Sequence, residues 1–377
     1  MVPTAPILAL AILFGVLLVM SAFGIARVEA AHPPAGQFVD VEGARLHVAE
    51  IGLARGSPGA EPAIVLVHGA SGNMEDMRLA LGEALARSHR VILIDRPGHG
   101  WSSRPPGDTY ASPARQAELV AEALKQLGVR RSILVGHSWG GAFVTAYALA
   151  FPERTAGVVL LSAVTHPWPA NPGWYNNIAS LAYLGPLFRR AMVYPLALIM
   201  ADGLSRRVFE PQPVPEDYMR RAAIRLVLRP STFFANARDL ALLRDFIAAQ
   251  VPRYADLRSP VVIITGDRDT MVSPEINACA LAATLPQAKL ISLEGVGHMP
   301  HHAAPETVVA AIDALTPALG AAPAAHARWV PVSDNRQIKS ARGYKLKDHE
   351  HMDAGRYRDA EDARGSGRLT ASYRSTA

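Results

Sequence analysis

A serine hydroxyl becomes a useful nucleophile only when a base lies within hydrogen-bond reach and a third group holds that base in the right tautomer. The sequence offers such a set. Gly136-His137-Ser138-Trp139-Gly140 fits G-x-S-x-G and is followed by Gly141. Downstream, Gly266-Asp267-Arg268-Asp269 supplies two acids and Glu294-Gly295-Val296-Gly297-His298 supplies an imidazole. The order Ser, acid, His is the one expected when the serine sits on a strand-to-helix turn. The chemistry implied is attack of Ser138 on an acyl carbon, with His298 as base and one of the two aspartates orienting it.

A five-residue match is weak alone, and its surroundings give it weight. The apolar run Ser132–Val135 precedes it, and a helical run from Trp139 to Ala150 follows. Glycines at 136 and 140 let neighbouring backbone approach, so that the hydroxyl stands above a sheet edge with helix N–H groups behind it. The rest of the chain alternates in the same way. Strands are expected at Arg45–Ile51, Ala63–Val67, Arg90–Ile94, Gly157–Leu161, Val261–Thr265 and Lys289–Leu293. Helices are expected at Met74–Arg87, Ser112–Leu127, Pro274–Thr284 and Pro305–Leu315. Strands apolar throughout and separated by helices indicate an α/β fold with a mostly parallel sheet covered on both faces. Residues 163–257 break the rhythm with several proline-separated helical stretches and read as a helical cap over the C-terminal strand ends, where ligands bind in open α/β sheets.

The chain has 377 residues and is 50% hydrophobic, enough for a large core, with Cys279 as its single cysteine. An intrachain disulfide is therefore excluded, and neither a zinc-spaced Cys/His cluster nor a nucleotide-binding glycine fingerprint occurs, so no cofactor or metal is implied. The net charge of +5 does not point to nucleic acid. Of it, +4 falls after residue 320, where 11 Lys and Arg face 7 Asp and Glu, and the body is nearly neutral. Residues 319–377 have the composition of a disordered mixed-charge tail. At the other end, Ala5–Ala26 carries no charge, and as a helix it would reach ~33 Å, about the thickness of a bilayer's hydrocarbon core. Residues 1–30 are expected to anchor the chain in a membrane, with export after signal cleavage near Ala30 as the alternative; an n-region without Lys or Arg favours the anchor.

Four motifs together resemble the α/β-hydrolase superfamily, in the form with a helical cap after the sixth strand: His68-Gly69-Ala70, Asp95 through Ser102 (DRPGHGWS), the turn at Gly136–Gly141, and the paired GDRD and GVGH segments. The likeness runs from about Gln37 to Thr316, with the core at 37–162 and 258–318. It implies Ser138 as nucleophile, His298 as base and Asp269 as acid, because the family places its acid third after the glycine, leaving Asp267 a turn role. It implies an oxyanion hole from the backbone N–H groups of Ala70 and Trp139. His68 and Asp95 shape loops in this family, and His137, His301 and His302 are expected to be structural or solvent-facing. Epoxide hydrolases and haloalkane dehalogenases are similar in cap and loops but use a carboxylate nucleophile, whereas Ser138 implies acyl chemistry.

The cap contains Trp168, Trp174, Phe188, Ile199, Phe233 and Phe234. Together with the apolar N-terminus, this composition points to a small-molecule ester or lipid with an apolar acyl group. Acyl transfer to another alcohol uses the same residues. A carbon–carbon bond hydrolase is disfavoured by Ala70-Ser71-Gly72-Asn73 where a longer glycine run is typical, and a non-catalytic binding role by the presence of all three residues of the set.

Overall fold

In the computed structural model, which describes residues 4–168 and 173–316, eight strands form one sheet in the order β1-β2-β4-β3-β5-β6-β7-β8. They are β1 (Gln37–Val41), β2 (Ala44–Gly52), β3 (Ala63–Val67), β4 (Arg90–Ile94), β5 (Ser132–His137), β6 (Thr155–Leu161), β7 (Val261–Gly266) and β8 (Lys289–Leu293). β1 and β2 pair antiparallel with each other, as do β2 and β4; every pairing from β4 through β8 is parallel. The chain thus has the expected α/β fold, and it also has a strand that the sequence reading omitted. β1 is half of a hairpin closed at Glu42-Gly43, with Gly43 at φ 67°; its sequence, QFVDV, buries only Val39 and lacks the continuous apolar run that marks the equally short β3 and β4.

The α-helices are α1 (Thr4–Ala31), α2 (Met74–Met77), α3 (Glu83–Ala86), α4 (Pro113–Gln126), α5 (Trp139–Ala150), α6 (Trp174–Ser180), α7 (Leu184–Ala191), α8 (Val193–Phe209), α9 (Tyr218–Arg221), α10 (Pro230–Gln250), α11 (Ala280–Thr284), α12 (Pro300–Ala303) and α13 (Pro305–Asp313). The single helix expected over Met74–Arg87 is instead α2 and α3 joined by a π-helical turn at Arg78–Gly82. The wider turn suits a stripe spaced by four residues, Met77, Leu81 and Leu85, all of which are buried under the sheet. α4 starts as its sequence requires, with the Ser112 side chain accepting from the Arg115 amide and Pro113 in the first turn.

Side chains of the central strands alternate between two cores. Val65 and Val67 join α4 and α5 residues such as Leu124 and Phe143 on one face, while Ile64 and Leu66 meet Met77, Leu85 and Ile312 on the other. Both faces being dry is why these strands carry no polar alternation. The register also decides where function can lie. Val67 pairs with Ile94 and Gly136, His137 with Leu161, and Gly266 with Leu293, so the parallel strands end near one level. From adjacent β3 and β5 the chain leaves in opposite directions, to β4 on one side and β6 on the other, which opens a crevice at their ends.

Helices α6–α10 all lie between β6 and β7. They are fastened to the loops at that same end: Asn236 to Ser71, Asp239 to Arg96 and Arg104, Tyr218 to Asp76, and Gln212 to Gly297. Residues 319–377, read as a disordered mixed-charge tail, lie outside the described residues.

The N-terminal helix is not a free appendage. Its last third docks through Ser21, Gly24 and Val28, a stripe at helical spacing. The Ser21 hydroxyl donates to the Ala191 carbonyl at 3.2 Å. A Cβ on Gly24 would lie 2.1 Å from the Tyr194 ring, so only glycine permits this approach. Val28 packs with Ala223 and Leu226, Glu29 meets Arg229 at 3.5 Å, and Trp101 Nε1 donates to the His32 carbonyl at 3.0 Å.

Candidate active site

Ser138 stands directly after β5 with φ 51° and ψ −116°, a conformation that L residues adopt only when the surroundings impose it. Those surroundings are tight. The Ser138 amide donates to the Leu161 carbonyl at 2.9 Å, and its own carbonyl accepts from Gly141 and Val164. A Cβ on Gly136 would lie 2.3 Å from the Gly140 carbonyl oxygen, and one on Gly140 would lie 2.6 Å from that of Val67. No side chain fits at either position, so both glycines are required by close backbone approach. The result is a sharp turn in which Ser138 retains accessible surface while His137 and Trp139 beside it are buried.

Of the two acids, the structure brings Asp269 to the histidine. His298 Nδ1–H donates to Asp269 Oδ2 at 2.8 Å, and Asp269 Oδ1 accepts from the amides of Met271 and Val272 at 2.8 and 2.9 Å. Both residues are nearly fully buried. Asp267 instead bridges to the loop after β8, accepting from the Gly295 amide at 2.7 Å. His137 Nε2–H donates to the His298 carbonyl at 3.0 Å, and the two rings lie 4.9 Å apart, which ties the residue before Ser138 to the loop carrying His298.

Gly69 lies against the serine; a Cβ there would be 3.2 Å from that of Ser138. Next to it, Ala70 keeps some exposure, and Ser71 has φ 58°. That strained position is pinned from α10: the Ser71 amide donates to Asn236 Oδ1 at 2.7 Å, and Asn236 Nδ2 donates to the Ser71 hydroxyl at 3.1 Å. His68 Nδ1–H donates to the Gly69 carbonyl and Nε2 accepts the Arg96 amide. Burial, aided by the positive Arg96, lowers the His68 pKa to about 3, so the ring stays neutral and keeps that acceptor. Asp95 is likewise committed to loops, accepting from the Met74 and Trp101 amides and from His47.

The residues that sequence reasoning missed are Arg96 and Asp239. Arg96 is fully buried, and its guanidinium donates to Asp239 at 2.8 Å, to Gln116 at 3.1 Å and to the Gly69 carbonyl at 3.3 Å. It also lies 3.8 Å from the centre of the Trp139 ring. One cation thus braces both backbone segments that flank Ser138. Burial lowers its pKa to about 10, with Asp239 opposing the shift, and it remains charged at neutral pH. Arg104 completes the shell around Asp239 at 2.5 Å. Arg96 is the arginine of the DRPGHG segment, but nothing local marks Asp239, 143 residues away, as its counter-ion.

Of the two roles expected for His301 and His302, structural or solvent-facing, they take the structural one. Their Nε2 atoms donate to Asp76 at 3.2 and 2.8 Å, and the Tyr218 hydroxyl donates to the same carboxylate at 2.9 Å. Burial disfavours a charged Asp76, yet the bonds from the two histidines outweigh it and hold its pKa well below the ordinary value. Asp76, His137 and His301 bring potential metal-ligating atoms within 4.8 Å of one another. Within the protein, Asp76 accepts from His301, His302 and Tyr218, and His137 bonds the His298 carbonyl. The cluster joins α2, α9 and α12 as structural glue.

Residues 62–305 match the α/β hydrolase fold family. The chain belongs to that family. A relative in Mycobacterium tuberculosis, an uncharacterized protein, is 30% identical over 283 residues, covering 72% of this chain and 77% of that one. A dihydrolipoyllysine-residue acetyltransferase component of an acetoin cleaving system from Cupriavidus necator is 31% identical over 177 residues, and the aligned part spans 46% of this chain but only 43% of the relative's length. Lipase 1 of Psychrobacter immobilis is 25% identical over 263 residues, 68% of this chain and 76% of the lipase. Among solved structures, an α/β hydrolase fold protein from Burkholderia ambifaria superposes with a TM-score of 0.60 at 26% identity, covering 74% of this chain and 96% of that one.

Proposed function

We propose that this α/β-hydrolase-family protein is a serine hydrolase that cleaves carboxylic esters bearing an apolar acyl group, with residues 163–257 as its cap and α1 as its membrane anchor. The observation that carries the reading is the His298–Asp269 bond of 2.8 Å at the same sheet end as a serine held at φ 51°. Asp269 keeps the proton on Nδ1 of His298, leaving Nε2 as the base. Ser138 Oγ gives up its proton to that nitrogen and attacks the ester carbonyl. The oxyanion is met by the amides of Ala70 and Trp139, each worth ~3 kcal/mol in such sites. His298 then protonates the leaving alcohol, and the same base activates water to release the acid and restore Ser138.

The similarity to a lipase agrees with an ester substrate, and the apolar N-terminal helix with a lipid-rich setting. Retention of α1, as opposed to signal cleavage, is favoured by its docking: removal of residues up to Ala30 would strip the Gly24–Tyr194 and Val28–Leu226 contacts from the folded body. A fluorophosphonate should label the wild type at Ser138 and leave Ser138→Ala unlabelled. Across esters of two to sixteen carbons, kcat/KM is expected to rise with acyl length; a maximum at the shortest ester with a steady decline would refute the apolar preference, and an unlabelled, folded wild type would refute the mechanism.

A further inference from the structure

Large apolar side chains next to α1 are turned away from the protein. Leu181, Tyr183, Leu184 and Leu187, at and just before α7, and Leu198 and Ile199, on α8, are all exposed; Tyr183 retains 91% and Ile199 82% of their accessible surface. An apolar cluster of this kind on a soluble surface marks an interaction site. Its position identifies the partner. α7 and α8 are the helices on which α1 docks, through Ser21 to Ala191 and Gly24 to Tyr194. The part of α1 before that contact is apolar and exposed, with Ile7, Leu8, Leu10, Ile12, Val16 and Val19 all open.

We propose that α7, α8 and the segment before them are seated in one leaflet of the bilayer beside α1, so that the cap lies in the lipid from which substrate is drawn. This rests on α1 being a membrane anchor. Neither helix crosses the membrane by itself: α7 has 8 residues and α8 has 17, and the two are bent by 64° at Met192. At ~1.5 Å per residue they are ~12 and ~26 Å long, which suits a wedge lying in the interface. The ends of the two helices carry exposed Arg190, Arg206 and Arg207, whose long stems allow the guanidinium groups to reach phosphate headgroups while the leucines face acyl chains. The apolar surface of α1 and the exposed surface of the cap then form one continuous lipid-facing boundary.

The test uses the full chain carrying Cys279→Ser and a single environment-sensitive NBD label, at Ile199→Cys on α8 or, as control, at Glu122→Cys on α4. Each is reconstituted into phosphatidylcholine–phosphatidylglycerol vesicles, with and without bromine on the acyl chains. The expected result is a blue-shifted emission at 199, quenched by the brominated lipid, with no change at 122. Emission at 199 matching the control, in protein that still floats with the vesicles, overturns the inference and leaves the anchor standing. A blue shift without quenching means that a second copy of the chain covers the patch, and also overturns it. Protein that does not float refutes the anchor itself and the inference with it. As a second readout, Leu198→Asp/Ile199→Asp should keep kcat/KM on a short soluble ester within about twofold while losing about tenfold or more on long-chain lipid presented in vesicles; an equal loss on both substrates would overturn the inference.

Discussion

Replacing Asp269 with Asn tests the proposed mechanism with little change in shape. The two amides of Met271 and Val272, at 2.8 and 2.9 Å from Oδ1, hold that side of the group. An asparagine satisfies them only by keeping its carbonyl oxygen there, which turns its NH2 toward His298 Nδ1, 2.8 Å away from the position Oδ2 had occupied. Nδ1 must then accept, so the ring proton moves to Nε2, where it cannot take the proton of Ser138. In enzymes with this arrangement, the substitution lowers kcat about 10⁴-fold, equivalent to about 5.4 kcal/mol at 1.36 kcal/mol per decade. Asp267→Asn is the matched control. Its carboxylate serves only the Gly295 amide among the side-chain bonds described, which an Asn carbonyl can also serve, and activity should stay within about threefold. Initial rates on a chromogenic ester, with thermal melts to verify folding, decide the matter. A folded Asp269→Asn variant within tenfold of wild type, or an Asp267→Asn variant that is the more damaged of the two, would refute the assignment.

Three other predictions concern the supports of the site. Arg96→Met leaves the fully buried Asp239 with Arg104 as the one arginine paired to it among the described residues, and should cost about 3 kcal/mol or more in urea denaturation, with kcat falling as the Gly69 and Trp139 contacts are lost; a change below 1 kcal/mol would show that the network is not structural. His68 has a folded pKa of about 3, below the ~6.5 of an unfolded histidine, so the unfolded chain binds the extra proton as pH falls. Its stabilisation is complete above about pH 6.5 and is lost toward pH 3, about 2 kcal/mol having gone by pH 5; urea midpoints from pH 7.5 to 5 should fall less steeply in His68→Asn than in wild type, and parallel slopes would contradict this. Gly24→Leu would push the Tyr194 ring off α1 and should make the chain between α1 and β1 sensitive to protease without altering the rate on a soluble short ester; unchanged protection would mean that the docking contributes nothing.

Much of the site was legible because it is encoded locally. The glycines at 136 and 140 and the strand-then-helix context of Ser138 are properties of short segments, reflecting one turn and the close backbone approach it requires, and the GDRD segment that carries Asp269 is short enough to be recognised by resemblance. Alternation of apolar strands and amphipathic helices likewise indicated a sheet covered on both faces. What stayed hidden depends on contacts distant in sequence. Asp239 is an ordinary acid on α10 until the fold brings Arg96 to it, and the partners that hold His301 and His302, Asp76 and Tyr218, are likewise far away in the chain. The interval from Met74 to Arg87 reads as one helix because a π-helical turn leaves no composition signal, only a stripe spaced by four.

The sequence by itself determined the chemistry available to this protein: a serine on a glycine-flanked turn, an acid and a histidine at later strand ends, and an apolar N-terminal helix long enough to meet a bilayer. Tertiary structure alone decided how these are held. It joined Asp269 to His298, pinned Ser71 from α10, placed one buried arginine behind both segments flanking Ser138, and laid α1 along α7 and α8 so that their apolar residues face outward beside it. The physical reason is range. Turn geometry and hydrophobic period are set by a few neighbouring residues, whereas a buried charge needs its partner, and a helix its docking face, from wherever in the chain the fold supplies them.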